Sequence, residues 1–250
     1  MSKVVKIKSQ LKQEKNKSFL KVVLSLFLAI LFAVFGLVTL FAILLKKSTL
    51  HMAVPVIFIL LAFAGLIVFL VLKKEYGILQ SGVRGEETTL KILRKLPKEF
   101  TVLTNPVIHN RGAVNELDFV VVGKNGVFII ESKNYRGIVC GKTSNSNWKQ
   151  IKHGKNGKTF EKEVSNPAKQ SFRQKRRLEE LFRDLRITAT VYPVLYFVDD
   201  RTELKIQDDA DLNVAIINDE NTLLQFIQNT KGREKVSSEE LAKIIRQFKR

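Results

Sequence analysis

A chain of 250 residues with formal net charge +18 has room for one ordinary domain and one further element, and its basicity directs it toward polyanions. Its single cysteine, Cys140, excludes an intrachain disulfide and a cysteine-held zinc site, in keeping with a reducing cytoplasm. The three histidines, His51, His109 and His153, are widely separated, so any metal must rest mainly on oxygen ligands.

Residues 1–21 are basic, with Lys3, Lys6, Lys8, Lys12, Lys15 and Lys17 against Glu14. From Val22 to Leu45, and again from Met52 to Leu72, the chain is apolar and uncharged. Each run covers a hydrocarbon core, which takes about 20 helical residues, so the pattern predicts a transmembrane helical hairpin over 22–72. The first run is too long for the apolar part of a signal peptide and ends in Lys46-Lys47 without a small-residue cleavage site. Lysines before the first run, with Lys73, Lys74 and Arg84 after the second, place both termini in the cytoplasm of a two-span protein of the cell membrane. Ser25, Ala29 and Ala33 recur every fourth residue, a small-residue stripe that admits another helix closely, in the same chain or in a homo-oligomer. The absence of Asp, Glu, Lys and Arg from both runs argues for an anchor over a transport pathway.

Residues 73–84 read as a linker, and the domain begins near Gly85. Glu86 to Leu96 is helical in pattern: Leu90 and Leu93 share a stripe with Glu86, while Glu87 sits with Lys91 and Arg94 on the polar side. The inward carboxylate of Glu86 has two outlets, the helix-start amides or a partner elsewhere in the domain. Phe100 to Ile108 reads as a strand interrupted by Asn105-Pro106, followed by a loop from Asn110 to Val114.

Glu116 to Tyr135 reads as a β-hairpin turning at Gly123 to Gly126, where Asn125-Gly126 tolerates positive φ. Alternation puts Val127, Ile129, Glu131 and Lys133 on one face of the second strand and Phe128, Ile130 and Ser132 on the other. In the first strand Leu117, Phe119 and Val121 oppose Asp118, Val120 and Val122. Pairing brings Asp118 beside Glu131 and Lys133. Two carboxylates and an ammonium at the end of a Val/Ile/Phe-rich hairpin are costly to bury unless they pair or hold a cation. A plain ion pair between Glu131 and Lys133 is the simpler reading.

Ile138 to Cys140 extends the sheet, and Ser144 to Glu163 reads as a mobile polar loop, with Trp148 either stacking on a base or anchoring the loop to the core. From Lys142 to Arg186 thirteen basic residues face five acidic ones, a block suited to a phosphate backbone. It nominates Lys149, Lys152, Lys155, Lys158, Arg173 and Arg176 as nucleic-acid contacts. Asn166-Pro167 starts a helix whose buried stripe is Leu178, Leu181, Phe182 and Leu185, with Gln170 projecting close to Leu181. Thr190 to Val198 is a strand in which Pro193 suggests an edge or a bulge. Residues 199–250 form a C-terminal α/β extension with a strand over Leu212 to Ile217 and helices over Asn221 to Gln228 and Ser237 to Phe248; Ser237 and Glu240 have capping-box spacing.

GEE at Gly85 to Glu87, ELD at Glu116 to Asp118, GVFIIESKN at Gly126 to Asn134, Gly137, Trp148 and NPAKQ at Asn166 to Gln170 together resemble the nuclease-related domain, NERD, of the PD-(D/E)xK nuclease superfamily. The resemblance covers Gly82 to Val198 and implies an α/β domain over 85–198. Its fold would be an αβββαβ restriction-endonuclease-like core with a mixed sheet, behind the transmembrane hairpin. It implies phosphodiester cleavage with Mg2+, or Mn2+ in its place. Glu86, Asp118 and Glu131 match the family's acidic positions, Lys133 its catalytic lysine and Gln170 the glutamine of its following helix. Leu117 stands where the superfamily name has proline. The metal ligands so implied are Asp118, Glu131 and the backbone carbonyl of Ser132.

The sequence therefore points to a membrane-anchored, Mg-dependent nuclease acting on DNA in preference to RNA at the cytoplasmic face, its partners nucleic acid and the lipid bilayer. The alternative is a non-catalytic module holding nucleic acid or anionic lipid at the membrane.

Overall fold

A computed structural model describes residues 1–45, 51–110, 113–154, 158–232 and 235–248. It divides into two units, Gln10–Val83 and Met1–Ser9 with Arg84–Arg250.

The first unit holds helix α1 (Gln10–Leu44) and α2 (Ala53–Leu93) up to Val83. Both helices are long and apolar enough to cross a membrane, and large side chains such as Phe27, Phe41, Leu60 and Phe63 stand exposed on them. They run antiparallel: Phe19 meets Tyr76, a Cβ on Gly65 would lie 3.1 Å from that of Ala29, and Phe35 stacks on Phe58. The buried residues of α1 are Ser18, Ser25, Ala29 and Gly36, in steps of seven, four and seven, so the expected pair Ser25 and Ala29 is buried while Gly36 takes the place expected of Ala33. The small-residue stripe is thus occupied by the chain's own second helix.

α2 runs without a break through 73–84, the expected linker. Charge and glycine gave that stretch a linker's composition, but Glu75, Ile78, Leu79 and Gln80 are good helix formers, and Gly77 and Gly82 cost only about 1 kcal/mol each without breaking a helix.

In the second unit a six-stranded mixed sheet runs in the order β1 (Lys3–Lys6), β2 (Thr101–Thr104), β5 (Phe119–Gly123), β6 (Gly126–Lys133), β10 (Val191–Phe197), β12 (Ala215–Ile217). β2, β5 and β6 are antiparallel neighbours, and β1, β10 and β12 add in parallel. With the end of α2 and helix α3 (Pro167–Asp184), this is the expected αβββαβ core. Both faces are covered. Leu103, Val120, Val122, Val127 and Ile129 pack with Leu178 and Phe182 of α3 and with Ile244 of helix α5 (Ser238–Gln247). On the reverse, Val102, Phe119, Val121, Phe128 and Ile130 pack with Leu93 of α2 and with Leu223 and Ile227 of helix α4 (Glu220–Asn229).

β1 was read from the sequence only as part of a basic segment. Lys3-Val4-Val5-Lys6 pairs with Thr101–Thr104, Val4 and Val5 pack into opposite core layers, and Ser2 Oγ donates to Leu93 O at 3.0 Å. β3 (Val107–Asn110) and β4 (Ala113–Glu116) form a separate ribbon: Val107 and Ile108 fall in the expected strand and Glu116 in the expected hairpin, while Asn110, Ala113 and Val114 pair where a loop was expected; residues 111 and 112 of that loop lie outside the described residues.

The described part of the stretch expected as a mobile loop is mostly regular. β8 (Asn147–His153) and β9 (Thr159–Ser165) form a hairpin in a second sheet ordered β11 (Glu203–Gln207), β7 (Ile138–Lys142), β8, β9. β7 therefore belongs to this sheet instead of extending the first. Trp148 anchors it, 1% exposed, packed on Val139, Leu195 and Phe197, with Nε1 donating to Lys142 O at 2.8 Å. The C-terminal extension completes both sheets, through β11 and β12. Pro193 lies inside β10, between β6 and β12, not on an edge strand; β12 pairs only with Val194–Tyr196, so the missing N–H falls where β10 has one neighbour.

Candidate active site

The chain kinks at Leu117 and Asp118, which belong to neither β4 nor β5. Leu117 consequently joins the core layer of Val120 and Val122 instead of sharing a face with Phe119. Asp118 turns its carboxylate toward β6, where Oδ2 accepts from the Ser132 amide at 2.8 Å. On β6, alternation sends Glu131 and Lys133 toward α3 and Ser132 toward α2, as the sequence pattern requires. Ser132 Oγ lies 2.8 Å from Thr89 Oγ1.

Glu131 is 2% exposed, yet it is an ionisable carboxylate. Its Oε1 accepts from Lys133 Nζ at 2.6 Å and its Oε2 from Gln174 Nε2 at 2.7 Å. Lys133 Nζ also donates to Gln170 Oε1 at 3.2 Å. The NPAKQ stretch explains why α3 presents these amides at this depth. Asn166 caps the helix, its Oδ1 accepting from Ala168 N and Lys169 N, while its Nδ2 donates to Thr143 O and Asn145 O in the turn between β7 and β8. Pro167 occupies the first turn, and Gln170 and Gln174 then share one face at i,i+4.

Glu86 approaches from α2. Gly85 makes this approach possible, since a Cβ there would stand 2.9 Å from that of Asn134. Asn105, in the left-handed region at φ 53°, joins the two acids: its amide N donates to Asp118 O at 2.9 Å and its Nδ2 to Glu86 Oε2 at 3.5 Å.

The charges act on one another. Burial, the Glu131 charge and the Glu86 charge push the Asp118 carboxyl well above its ordinary value, against the Ser132 amide and Lys133, which favour ionisation. For Lys133 burial works to lower the value, but Glu131, by charge and by hydrogen bond, with Asp118 and Tyr135, raises it. Tyr135 is raised by burial and by Glu131, and lowered by Lys133.

The expected acids, lysine and glutamine thus form one interacting group. Gln174 and Asn105 were missed. Gln174 was legible as the residue one turn beyond Gln170, and Asn105 only as a break in a strand. Gln174 Oε1 is buried without a hydrogen-bond partner. Among the described residues no three His, Cys, Asp or Glu side chains are arranged to hold a metal ion. The oxygen-only donor set of Asp118, Glu131 and the Ser132 carbonyl nonetheless has the chemistry of a hard divalent cation site, and the repulsion between the two carboxylates is what a cation relieves.

The expected nucleic-acid contacts scatter. Lys149 points to the outer face of the second sheet, 3.6 Å from Glu161, and Lys152 to the opposite face. Lys158 immediately precedes β9, Arg173 and Arg176 are exposed on α3, and Lys155 lies outside the described residues.

Residues 81–198 match the family model described as NERD, the nuclease-related domain. An uncharacterized protein of Bacillus anthracis is 35% identical over 71 residues, which make up 28% of this chain and 34% of that protein. The chain therefore spans about a third of the length of the curated relative it matches. No solved structure matches it.

Proposed function

Because residues 81–198 belong to the nuclease-related domain family, we propose that the chain is a membrane-anchored, metal-dependent nuclease that hydrolyses phosphodiester bonds, of DNA in preference to RNA. One observation carries the reading: Lys133 Nζ lies 2.6 Å from the buried Glu131, in the same charge group as Asp118 and Glu86. A structural ion pair needs one carboxylate; this group holds three.

Asp118, Glu131 and the Ser132 carbonyl would hold Mg2+ or Mn2+, which supplies positive charge to polarise the scissile phosphate. Lys133 stays protonated and places an ammonium where negative charge develops on phosphorus. Gln170 and Glu131 fix the direction of that ammonium, and Gln174 fixes Glu131. Glu86, held by Asn105, adds negative charge behind Asp118.

The uncharged stretches of α1 and α2, 22–44 and 53–72, serve as the anchor, with their exposed apolar side chains against lipid. β1 precedes α1 and yet pairs in the sheet that follows α2, which supports placing the N-terminus and the nuclease unit on one side of the membrane, the cytoplasmic one.

Full-length protein in detergent, given supercoiled plasmid and Mg2+, should nick it, and Glu131→Ala and Lys133→Ala should each cut at least 100-fold more slowly. Equal cutting by either variant refutes the assignment. The alternative of a non-catalytic binding module draws on one observation, that both Glu131 oxygens are already bonded within the protein. It predicts salt-sensitive binding that survives Glu131→Ala, with no strand breaks.

A further inference from the structure

Alternation along β8 and β9 divides the hairpin into two unlike faces. Lys149, Glu161 and Glu163 lie on the outer one, with Lys149 paired to Glu161. The other face begins as core, with Trp148 and Gln150 buried and Gln150 Nε2 donating to Arg136 O at 2.9 Å. Farther out it carries Lys152 and Phe160, directly opposite each other in register, and Lys162 opposite Gln150. No position of this face on the two strands is acidic.

Phe160 is 59% exposed, and among the described residues of its unit it is the exposed aromatic side chain. An apolar ring left in water forgoes about 1.5–3 kcal/mol of burial. Its ring lies against Gly154, where a Cβ would stand 2.9 Å from Phe160 Cε2.

We propose that this face of the β8–β9 arm binds single-stranded nucleic acid, with a base stacked on Phe160 and neighbouring phosphates at Lys152 and Lys162. The proposal takes its substrate class from the nuclease reading. An aromatic ring between two cations matches an unpaired base between two phosphates, whereas a duplex hides its base faces. Phe160 and Lys162 stand about 7 Å apart along the strand, so ring and ammonium reach adjoining parts of one nucleotide chain. The arm also starts close to the charge group. Arg136, held by Gln150, is three residues from Lys133, at most about 11 Å of chain, and Lys152 lies about 7 Å beyond Gln150. A strand lying on the arm therefore leads toward Lys133.

The test is fluorescence anisotropy with a labelled oligothymidylate and a duplex of equal length. Full-length protein is held in nanodiscs of neutral lipid, with chelator present so that nothing is cut. Phe160→Ala should weaken oligothymidylate binding about 5- to 150-fold and Phe160→Trp should restore it. Lys152→Gln and Lys162→Gln should each lower the slope of log affinity against log salt by about 0.7. Lys205→Gln, the same charge change on the outer face of the second sheet, should leave both unchanged. Unaltered binding by Phe160→Ala overturns the proposal. So does an equal loss on the duplex, or a loss seen instead as reduced co-flotation with phosphatidylserine vesicles. Because no cleavage is scored, binding that persists in a chain unable to cut separates failure of the nuclease reading from failure of this one.

Discussion

Gln174 Nε2 meets Glu131 Oε2 at 2.7 Å beneath α3, leaving Gln174 Oε1 buried without a partner. The amide holds one carboxylate oxygen while Lys133 holds the other, so the orientation of Glu131 depends on both. Gln174→Leu leaves Oε2 unsatisfied, at a cost of about 1–3 kcal/mol. Plasmid nicking should fall at least tenfold with little change in DNA affinity. A cut rate equal to wild type would remove Gln174 from the positioning machinery.

Lys133→Ala should destabilise the protein as well as silence it. The buried Glu131 then carries an uncompensated charge, worth about 3–5 kcal/mol. The double variant Glu131→Gln with Lys133→Met removes both charges and should recover most of the lost thermal stability while staying inactive. Unfolding temperatures in detergent decide the matter; a double variant as weak as Lys133→Ala contradicts the ion-pair account.

Asp118→Asn should be more stable than wild type at neutral pH when metal is chelated. The folded protein holds the Asp118 proton to higher pH than the unfolded chain, where the value is about 3.9. The stability this gives is complete below about pH 3.9 and is lost as pH rises through the raised folded value. Wild type and variant should therefore converge in acid and separate toward neutrality. Mg2+ should narrow the gap by stabilising wild type alone. Melting curves that remain superimposed from pH 4 to pH 8 count against a perturbed carboxyl.

Glu240 shows the opposite sign. Its Oε2 accepts from Ser237 N at 3.0 Å and its Oε1 from Thr188 N at 2.9 Å, which lower its value from 4.5 to about 2. The stability it adds is present above about pH 4.5 and lost as pH falls through about 2. Glu240→Gln should lose about 1 kcal/mol at pH 7, typical of a broken cap, with the difference shrinking in acid. A pH-independent difference assigns the effect to packing of α5 instead.

A chain that starts at Gln10 should fold poorly. It lacks β1, so the β2 edge is unpaired and Val4, Val5 and Ile7 no longer cover the two core layers. A lower unfolding temperature and greater aggregation than the full chain are expected in light scattering. Identical behaviour would make β1 dispensable.

Much of this was readable from the residues. Period-two alternation placed Glu131 and Lys133 on one face, and the 3.6-residue stripe turned Glu86 inward. Asn166-Pro167 announced α3 and so the position of Gln170. The failures came where a local rule met a tertiary demand. Leu117 and Asp118 kink between strands, which no alternation count includes. Residues 73–84 have a linker's composition but no helix breaker strong enough to end α2. The β8–β9 arm looked like a loop because its glycines and lysines masked the alternation in Thr159–Ser165, where Phe160 and Lys162 oppose Glu161 and Glu163. β1 carried too few apolar residues to register, and only its distant partner β2 makes it a strand.

That partnership orders events during synthesis. Ile7 donates to Thr104 across a separation of 97 residues, and both apolar helices are translated between them. β1 must wait unpaired until α1 and α2 have been made, so the central sheet is completed only after the chain has committed its hydrophobic segments. A nascent chain stalled before Thr101 therefore has β1 still open to proteases, and one stalled well beyond the end of β2 does not.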